Sequence, residues 1–137
     1  MAKELALRVL VADDHEKMRD SLVQILEREF EVVGAVSDGY ELIDAAARWE
    51  PDVIVSDVLM PRLNGTAAMM NLHSGGMDIP FVFVCADEHL VEHVARNFGV
   101  CVHKLDILSE LRDAVLCAAS TALAPRPAMQ KLRRSPN

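Results

Sequence analysis

Short apolar runs alternate with amphipathic segments along most of this chain. The first apolar run covers residues 8–12, and the segment after it repeats apolar residues every three or four positions, which is the period of a helix. The same alternation continues to residue 123. It predicts strands at 8–12, 32–36, 53–55, 81–85 and 100–103, and helices at 16–29, 40–49, 66–73, 88–97 and 107–123.

In three of the predicted strands the apolar run is continuous and does not alternate with polar residues. Continuous apolar strands are typical of a sheet covered on both faces. Strands that alternate with helices need crossover connections, which are right-handed and place helices on both sides of a parallel sheet. The pattern therefore predicts a doubly wound α/β sheet. Residues 125–137 follow it and are predicted to be a disordered basic tail or the stub of a linker.

The net charge of −7 is spread unevenly along the chain. Residues 125–137 hold four of the 14 basic residues and no acid, so the first 124 residues carry ten basic and 21 acidic groups. This acidic body argues against direct binding of nucleic acid and suits a protein that holds a divalent cation. No apolar run approaches the ~18 residues of a membrane-spanning helix, and no signal-peptide core follows Met1. We therefore expect a cytoplasmic protein without membrane contact.

Charged residues follow three of the predicted strands at their carboxyl ends. Asp13 and Asp14 follow the first strand, Asp57 follows the third, and the fifth is followed by Lys104. The carboxyl ends of parallel strands share one edge of a sheet, where ligands of open α/β sheets bind. Clustered carboxylates repel each other, and Mg2+ relieves this because it prefers carboxylate, water and phosphate oxygens. An aspartate can also attack phosphorus, and a lysine ammonium can neutralise charge on the transferred group.

Three motifs carry a family resemblance: V-A-D-D-H at 11–15, D-V-L-M-P-R-L-N-G at 57–65, and a lysine after the fifth predicted strand. They resemble the receiver domains of bacterial two-component systems. Residues 31–39 and 103–111 are similar to receivers of the subfamily that usually carries a helix-turn-helix output domain. The resemblance implies one receiver domain over residues 6–124, with a flavodoxin-like (βα)5 fold and the strand order 2-1-3-4-5.

The resemblance also implies a role for each matching position. Asp57 would be phosphorylated by a sensor histidine kinase or a phosphotransfer protein. Asp14, Asp57 and the backbone carbonyl of Leu59 would bind Mg2+ directly, and Asp13 would act through a bound water. Lys104 would contact the phosphoryl group. Phosphorylation and its later hydrolysis would be self-catalysed, so we do not expect a classical enzyme. A homodimer through the face of helix four, strand five and helix five is a further expectation.

Two positions depart from the family pattern. Receivers usually end strand four with Thr or Ser, whose hydroxyl bonds the phosphoryl group and starts the conformational switch, but this chain has Cys85. They usually carry an aromatic residue three positions before the lysine, but this chain has Cys101. A thiol is a weaker donor than a hydroxyl. We therefore expect phosphorylation to survive and its coupling to the output face to be weaker.

Several motifs also have other interpretations. Asp13 or Asp14 could cap the first helix, since Asp is a favoured N-cap residue. Cys85 and Cys101 could form a redox pair, although two small buried residues are the simpler reading. Residues 89–93 match the H-x-x-E-H zinc-peptidase pattern, but so short a pattern recurs by chance. The stretch before Cys101 is short for the family, so the fourth helix could be shortened or shifted.

The leading functional prediction is a phosphorylatable receiver that works through a partner protein or through an output domain outside this sequence. The second is a phosphorylation-independent, receiver-like interaction module, which the two cysteine positions keep open. The third is a metal hydrolase built on the same acids. It is weaker because the sequence indicates no histidine or general base that clearly joins them.

Overall fold

The computed structural model describes residues 6–123 of the chain. Five parallel strands form one sheet. They are β1 (Arg8–Ala12), β2 (Glu31–Val36), β3 (Val53–Asp57), β4 (Phe81–Cys85) and β5 (Val100–His103). Their order across the sheet is β2-β1-β3-β4-β5, as the family resemblance implies. Three strands have the predicted bounds, whereas β2 begins one residue earlier and β3 ends two residues later.

The end of β3 matters because it places Asp57 inside the sheet. Ser56 pairs with Ala12 of β1 and with Phe83 of β4, and Asp57 pairs with Val84. The polar side chains of Ser56 and Asp57 suggested that the strand had already ended. Pairing with both neighbouring strands continues the strand through Ser56, and pairing with β4 continues it to Asp57, the last residue of this central strand.

Helices connect the strands and cover both faces of the sheet. They are α1 (Glu16–Leu26), α2 (Gly39–Trp49), α3 (Gly65–Ser74), α4 (Glu88–Phe98) and α5 (Ile107–Leu123), with a short 3-10 helix at Lys104–Asp106. The first helix ends three residues before the predicted residue 29. Residues 27–29 form a turn there, and the turn brings Phe30 into the core just before β2 begins.

The core consists of two apolar clusters, one on each face of the sheet. Alternate strand residues point to opposite faces, so each central strand contributes to both clusters. On one face Val9, Val55 and Val84 pack with residues of α1 and α5, including Leu22 and Leu111. On the other face Leu10, Ile54 and Phe83 pack with residues of α2, α3 and α4, including Leu42, Leu72 and Val94. This is the doubly wound arrangement that the continuous apolar runs predict.

The fourth helix is not shortened. It spans 11 residues, and a single residue, Gly99, joins it to β5. Gly99 has a φ of +117°, a conformation that side chains rarely allow and that glycine adopts readily. The short sequence before Cys101 therefore reflects a one-residue connection.

No helix within residues 6–123 is long and apolar enough to cross a membrane. The predicted basic tail or linker stub at 125–137 lies outside the described residues, as does position 124 of the predicted domain.

Candidate functional site

The sheet brings together the charged residues that the sequence places at strand ends. Lys104, directly after β5, donates a hydrogen bond of 3.0 Å from Nζ to Oδ2 of Asp57. The same ammonium lies 3.5 Å from Oδ2 of Asp13, which follows β1. Because the three strands run parallel, these ends meet at one edge of the sheet, as the topology predicts.

Burial sets the electrostatics of this cluster. Asp13 is fully buried and Asp57 is 4% exposed. Burial raises the pKa of Asp57, the hydrogen bond from Lys104 opposes that rise, and the nearby charge of Asp13 adds to it. Burial works against the charge on Lys104, but its hydrogen bond and attraction to Asp57 outweigh this, and its pKa is raised. The pocket therefore holds more negative charge than its one lysine can balance.

Two buried carboxylate oxygens in the cluster, Oδ2 of Asp13 and Oδ1 of Asp14, have no hydrogen-bond partner. A buried polar atom without a partner costs free energy. Ligand atoms of Asp13, Asp14, His15 and Asp57 all lie within 4.8 Å of one another. Mg2+ takes carboxylate oxygens as ligands and keeps several waters. The donor set therefore fits the divalent cation that the sequence predicts.

His15 joins the acids, and the expectation that no histidine would do so was wrong. Its Nδ1 lies 3.6 Å from Oδ1 of Asp13 and 3.5 Å from Oδ1 of Asp14. The backbone explains this placement, because the N–H of His15 donates a 2.9 Å hydrogen bond to Oδ1 of Asp13. The chain thus turns back toward the acids just before α1. The sequence did hold a signal for this placement, because His15 directly follows the acid pair in the motif.

The capping interpretation also needs correction. His15, not an aspartate, occupies the N-cap position of α1, and its side chain makes no capping hydrogen bond. The Asp13 side chain accepts a hydrogen bond only from the N–H of His15, one residue before the helix begins. Arg19 of α1 adds a contact that sequence reasoning missed, since its Nη1 donates a 2.9 Å hydrogen bond to the backbone carbonyl of Asp13. Both contacts hold the end of β1 against the start of α1.

The loop after β3 is packed against Asp57, which explains the Asn-Gly pair in the motif. A Cβ on Gly65 would lie 2.3 Å from the backbone oxygen of Asp57, closer than any real side chain approaches. Asn64 caps α3 by accepting a 2.9 Å hydrogen bond from the N–H of Ala67. The N–H of Leu59 lies 3.4 Å from Oδ1 of Asp57. The loop that carries the Leu59 carbonyl therefore starts and ends beside the central aspartate.

Arg62 joins the same loop to the start of α2 through an ion pair and a contact with an aromatic ring. The sequence did not suggest either contact. Its Nη1 lies 3.2 Å from Oδ2 of Asp38, and its guanidinium stacks 5.1 Å from the centre of the Tyr40 ring. Asp38 in turn caps α2 by accepting from the N–H of Glu41. Arg62 has a φ of +71°, which lies in the left-handed region of the backbone map. A residue other than glycine adopts this conformation only at a cost in free energy.

The two cysteines lie on one face of the sheet but are not paired. Cys85 pairs with His103 across β4 and β5, and Cys101 pairs with Phe83. The thiols are therefore offset by two residues on neighbouring strands, about 8 Å between Cα atoms from ordinary strand spacings, whereas disulfides need less than about 7 Å. Burial, followed by the nearby Cys85 and Asp57, raises the pKa of Cys101 to about 12. These features favour small packing residues over a redox pair.

The histidines of the zinc-peptidase pattern lie on α4, away from the acid cluster. His89, Glu92 and His93 are exposed, and Nδ1 of His93 lies 3.3 Å from the side-chain amide of Asn97. Among residues 6–123, the group of three or more candidate metal ligands is the one around Asp13, and the α4 residues do not form another. The structure therefore gives the zinc-peptidase interpretation no support.

Comparison with known proteins identifies the class. The response regulator receiver domain matches residues 9–112, so the chain belongs to this family of two-component systems. Response regulator MprA of Mycobacterium bovis (strain BCG / Pasteur 1173P2) is 37% identical over 91 residues, which cover 66% of this chain and 40% of the relative. The chain thus spans about 40% of the length of the curated relatives that it matches.

Solved structures of receiver domains have the same fold. The signal receiver domain of NarL from Mycobacterium tuberculosis superposes with a TM-score of 0.75 and 26% identity, covering 84% of this chain and 97% of that one. The response regulator domain of CheB from Thermotoga maritima gives a TM-score of 0.74 and 27% identity, covering 88% and 99%. The predicted family and the predicted flavodoxin-like fold are both confirmed.

Proposed function

We propose that this chain accepts a phosphoryl group onto Asp57 from the phosphohistidine of a sensor kinase or phosphotransfer protein, and relays that state to a partner or an output domain. One observation carries the proposal: the Asp57 carboxylate is hydrogen-bonded to Lys104 beside two buried carboxylate oxygens that have no hydrogen-bond partner. A further cation that shares the negative charge would stabilise such a cluster. Phosphoryl transfer needs this combination of a nucleophile, a metal site and a fixed ammonium.

Each residue has a proposed part in the transfer. Asp14, Asp57 and the Leu59 carbonyl would hold Mg2+, with Asp13 acting through a water. When bound, Mg2+ would neutralise and orient the phosphate oxygens. Asp57 is the nucleophile, and its ionised form is needed because a protonated carboxyl is a far weaker electron-pair donor. Lys104 favours that form through its hydrogen bond, against the burial that raises the pKa of Asp57.

The bond changes are simple. An oxygen of Asp57 forms a bond to phosphorus while the bond from phosphorus to the donor imidazole nitrogen breaks, and the electron pair stays on that nitrogen. The Lys104 ammonium lies 3.0 Å from Asp57 Oδ2 and offsets the charge of the transferred group. Water later attacks the acyl phosphate, which releases inorganic phosphate and restores the Asp57 carboxylate. The chain acts on itself in both steps, so we propose that it is not an enzyme in the usual sense.

The alternative is a phosphorylation-independent interaction module with the same fold. Cys85 and Cys101 support it, because neither offers the hydroxyl or the aromatic ring that the family uses to report phosphorylation. A hydrolase has one new point in its favour, since His15 lies beside the acids. The partner kinase, a homodimer through the α4–β5–α5 face, the absence of direct nucleic-acid contact and a cytoplasmic location all stay predictions.

One experiment separates the three functions. The protein is incubated with acetyl phosphate and Mg2+, and its intact mass is measured beside that of Asp57→Asn. One phosphoryl group that is absent from the variant supports the receiver. If neither a phosphoryl adduct nor a spectral change with beryllofluoride appears, the interaction module is favoured. Continuous turnover of a phosphate ester by the wild type favours the hydrolase.

A further inference from the structure

We infer that Arg19 is a positioning residue for the phosphoacceptor pocket, because it fixes the peptide unit between Asp13 and Asp14 and so the direction of the Asp14 carboxylate. This inference rests on the proposed function, in which Asp14 is a ligand of Mg2+. Arg19 supplies no ligand itself. It acts through the backbone of the acid pair.

The contact that carries the inference joins α1 to the end of β1. Nη1 of Arg19 donates a 2.9 Å hydrogen bond to the backbone carbonyl of Asp13. Helical side chains lean toward the N-terminus of their helix, so that of Arg19, near the start of α1, reaches back over the connection. The backbone N–H of Arg19 donates to the carbonyl of His15 at 2.8 Å. One residue therefore binds both ends of the short β1–α1 connection.

The two acids differ in what fixes their side chains. The backbone N–H of Asp13 donates a 3.0 Å hydrogen bond to the carbonyl of Val36, and its Oδ1 accepts from the N–H of His15. Oδ2 of Asp13 lies 3.5 Å from the Lys104 ammonium. The side chain of Asp14 is 28% exposed, and its Oδ1 has no hydrogen-bond partner. The direction of Asp14 therefore depends on its backbone far more than that of Asp13 does.

The backbone before Asp14 is the part that Arg19 holds. The carbonyl of Asp13 and the N–H of Asp14 belong to one planar peptide unit. The hydrogen bond from Arg19 fixes this plane, and with it the backbone from which the Asp14 side chain extends. Without the bond, the peptide unit is free to take other orientations. A cation would then bind only the fraction of molecules in which Asp14 is directed at the pocket, and its apparent affinity would fall by that fraction.

Charge alone predicts the opposite effect. The guanidinium of Arg19 lies 2.9 Å from a backbone oxygen of the acid pair, and a positive charge near a cation site repels the bound cation. If Arg19 acted only through its charge, its removal would tighten Mg2+ binding. If Arg19 positions Asp14, its removal weakens Mg2+ binding. The sign of the change therefore separates the two effects.

The test measures Mg2+ binding by calorimetry in Arg19→Gln and Arg19→Met, which shorten or remove the donor. Arg19→Lys is the conservative variant, because its ammonium keeps the charge and can donate to the same carbonyl. Lys17→Gln is the matched control, since it removes one positive charge from an exposed side chain of the same helix. Urea unfolding checks that each variant is folded under the conditions of the titration.

We expect the dissociation constant for Mg2+ to rise about tenfold in Arg19→Gln and Arg19→Met, the lower end of the range for partners that orient metal ligands. Arg19→Lys should recover most of the affinity. Lys17→Gln should leave Mg2+ binding unchanged or slightly tighter. Binding as tight as in the wild type, or tighter, in the Arg19→Gln and Arg19→Met proteins would overturn the inference.

A second measurement needs no metal. The N–H of His15 is bonded to Asp13 within the connection that Arg19 holds. In the metal-free protein its hydrogen exchange, followed by NMR, should be several-fold faster in Arg19→Gln than in the wild type, because the connection opens more often. The exchange of Val55, in the centre of the sheet, should not change. Equal exchange rates for His15 in the two proteins would also overturn the inference.

Acetyl phosphate labelling of the wild type separates this inference from the proposed function. If Mg2+ binding and hydrogen exchange change as expected but the wild type gains no phosphoryl group, the proposed function fails and the role of Arg19 stands. If the wild type is phosphorylated and Arg19→Gln requires no more Mg2+ than the wild type for the same rate, the role of Arg19 fails alone.

Discussion

The ammonium of Lys104 and the carboxylate of Asp57 form a 3.0 Å hydrogen bond across 47 positions of sequence. Lys104 is the one lysine or arginine whose side chain makes an ion pair with the buried acids Asp13 and Asp57 among the residues that the structure describes. This pair fixes β5 against β3 at the edge where the site lies. It therefore links the stability of the sheet to the chemistry of the pocket.

Lys104→Met should destabilise the protein strongly in the absence of divalent cations. Removing one partner of a buried ion pair leaves uncompensated charge, and we expect a loss of about 3 kcal/mol in the free energy of unfolding. Added Mg2+ should recover part of that loss, because it neutralises the same carboxylates. Urea unfolding with EDTA and with Mg2+ measures both quantities. Arg96→Ala, which breaks the exposed pair with Glu92, is the control and should cost less than about 0.5 kcal/mol.

Asp57→Asn should stabilise the protein at neutral pH without divalent cations. Burial raises the pKa of Asp57, so the folded state binds its proton more tightly than the unfolded state. Protonated Asp57 therefore contributes to the free energy of unfolding below the pKa that it has in the unfolded state. This contribution is lost as the pH rises through the pKa that Asp57 has in the folded state. The advantage of the variant should therefore be largest at pH 7 and vanish below about pH 4. Urea unfolding across this range checks it, and a variant less stable than wild type at pH 7 contradicts it.

Gly65→Ala should cost about 1–3 kcal/mol, the usual range for overpacking. The new Cβ would lie 2.3 Å from the Asp57 backbone oxygen and 2.7 Å from Oγ of Ser56, so the strand end or the loop must move. Gly75→Ala is the matched control, since its Cβ would meet nothing closer than 3.6 Å. Unfolding free energies of the two variants give the comparison. Equal unfolding free energies for the two variants would show that the loop moves to accept the new Cβ without a loss of stability.

Cys85→Thr should enlarge the conformational response to phosphorylation. Cys85 is the last residue of β4 and is 3% exposed, so a threonine of similar size would place a hydroxyl at the same point beside the pocket. A hydroxyl donates a stronger hydrogen bond than a thiol. Hydrogen exchange of β4, α4 and β5, with and without beryllofluoride and Mg2+, measures the response. A change no larger than in the wild type would refute the weakened-switch hypothesis.

Cys101 should resist alkylation in the folded protein. Burial raises the pKa of its thiol to about 12. At pH 8 about one molecule in ten thousand then carries the thiolate, which is the reactive form. Cys117 is exposed and should react first. Timed labelling with iodoacetamide and peptide mass analysis compares the two, and equal rates at pH 8 would contradict the environment described for Cys101.

Much of the fold followed from local signals in the sequence. The bounds of β1, β4 and β5 were predicted because a charged residue, Pro or Gly stands at or within two residues of each end of the apolar run. The end of β3 was not, since Ser56 and Asp57 look like loop residues until both neighbouring strands are known. The one-residue link at Gly99 was also missed, because it depends on a backbone angle and not on composition.

The sequence alone determined the class of the protein and the residues that gather at the strand ends. The order of strands, acids and lysine along the chain suffices for that, because parallel strands expose their carboxyl ends at one edge. Only the tertiary structure decided which atoms meet there. Spatial proximity placed Nδ1 of His15 among the acids and Oδ2 of Asp13 3.5 Å from the Lys104 ammonium. It also set Cys85 and Cys101 on the same face of the sheet but out of bonding register. Those relationships depend on side-chain directions and strand register, which no local pattern encodes.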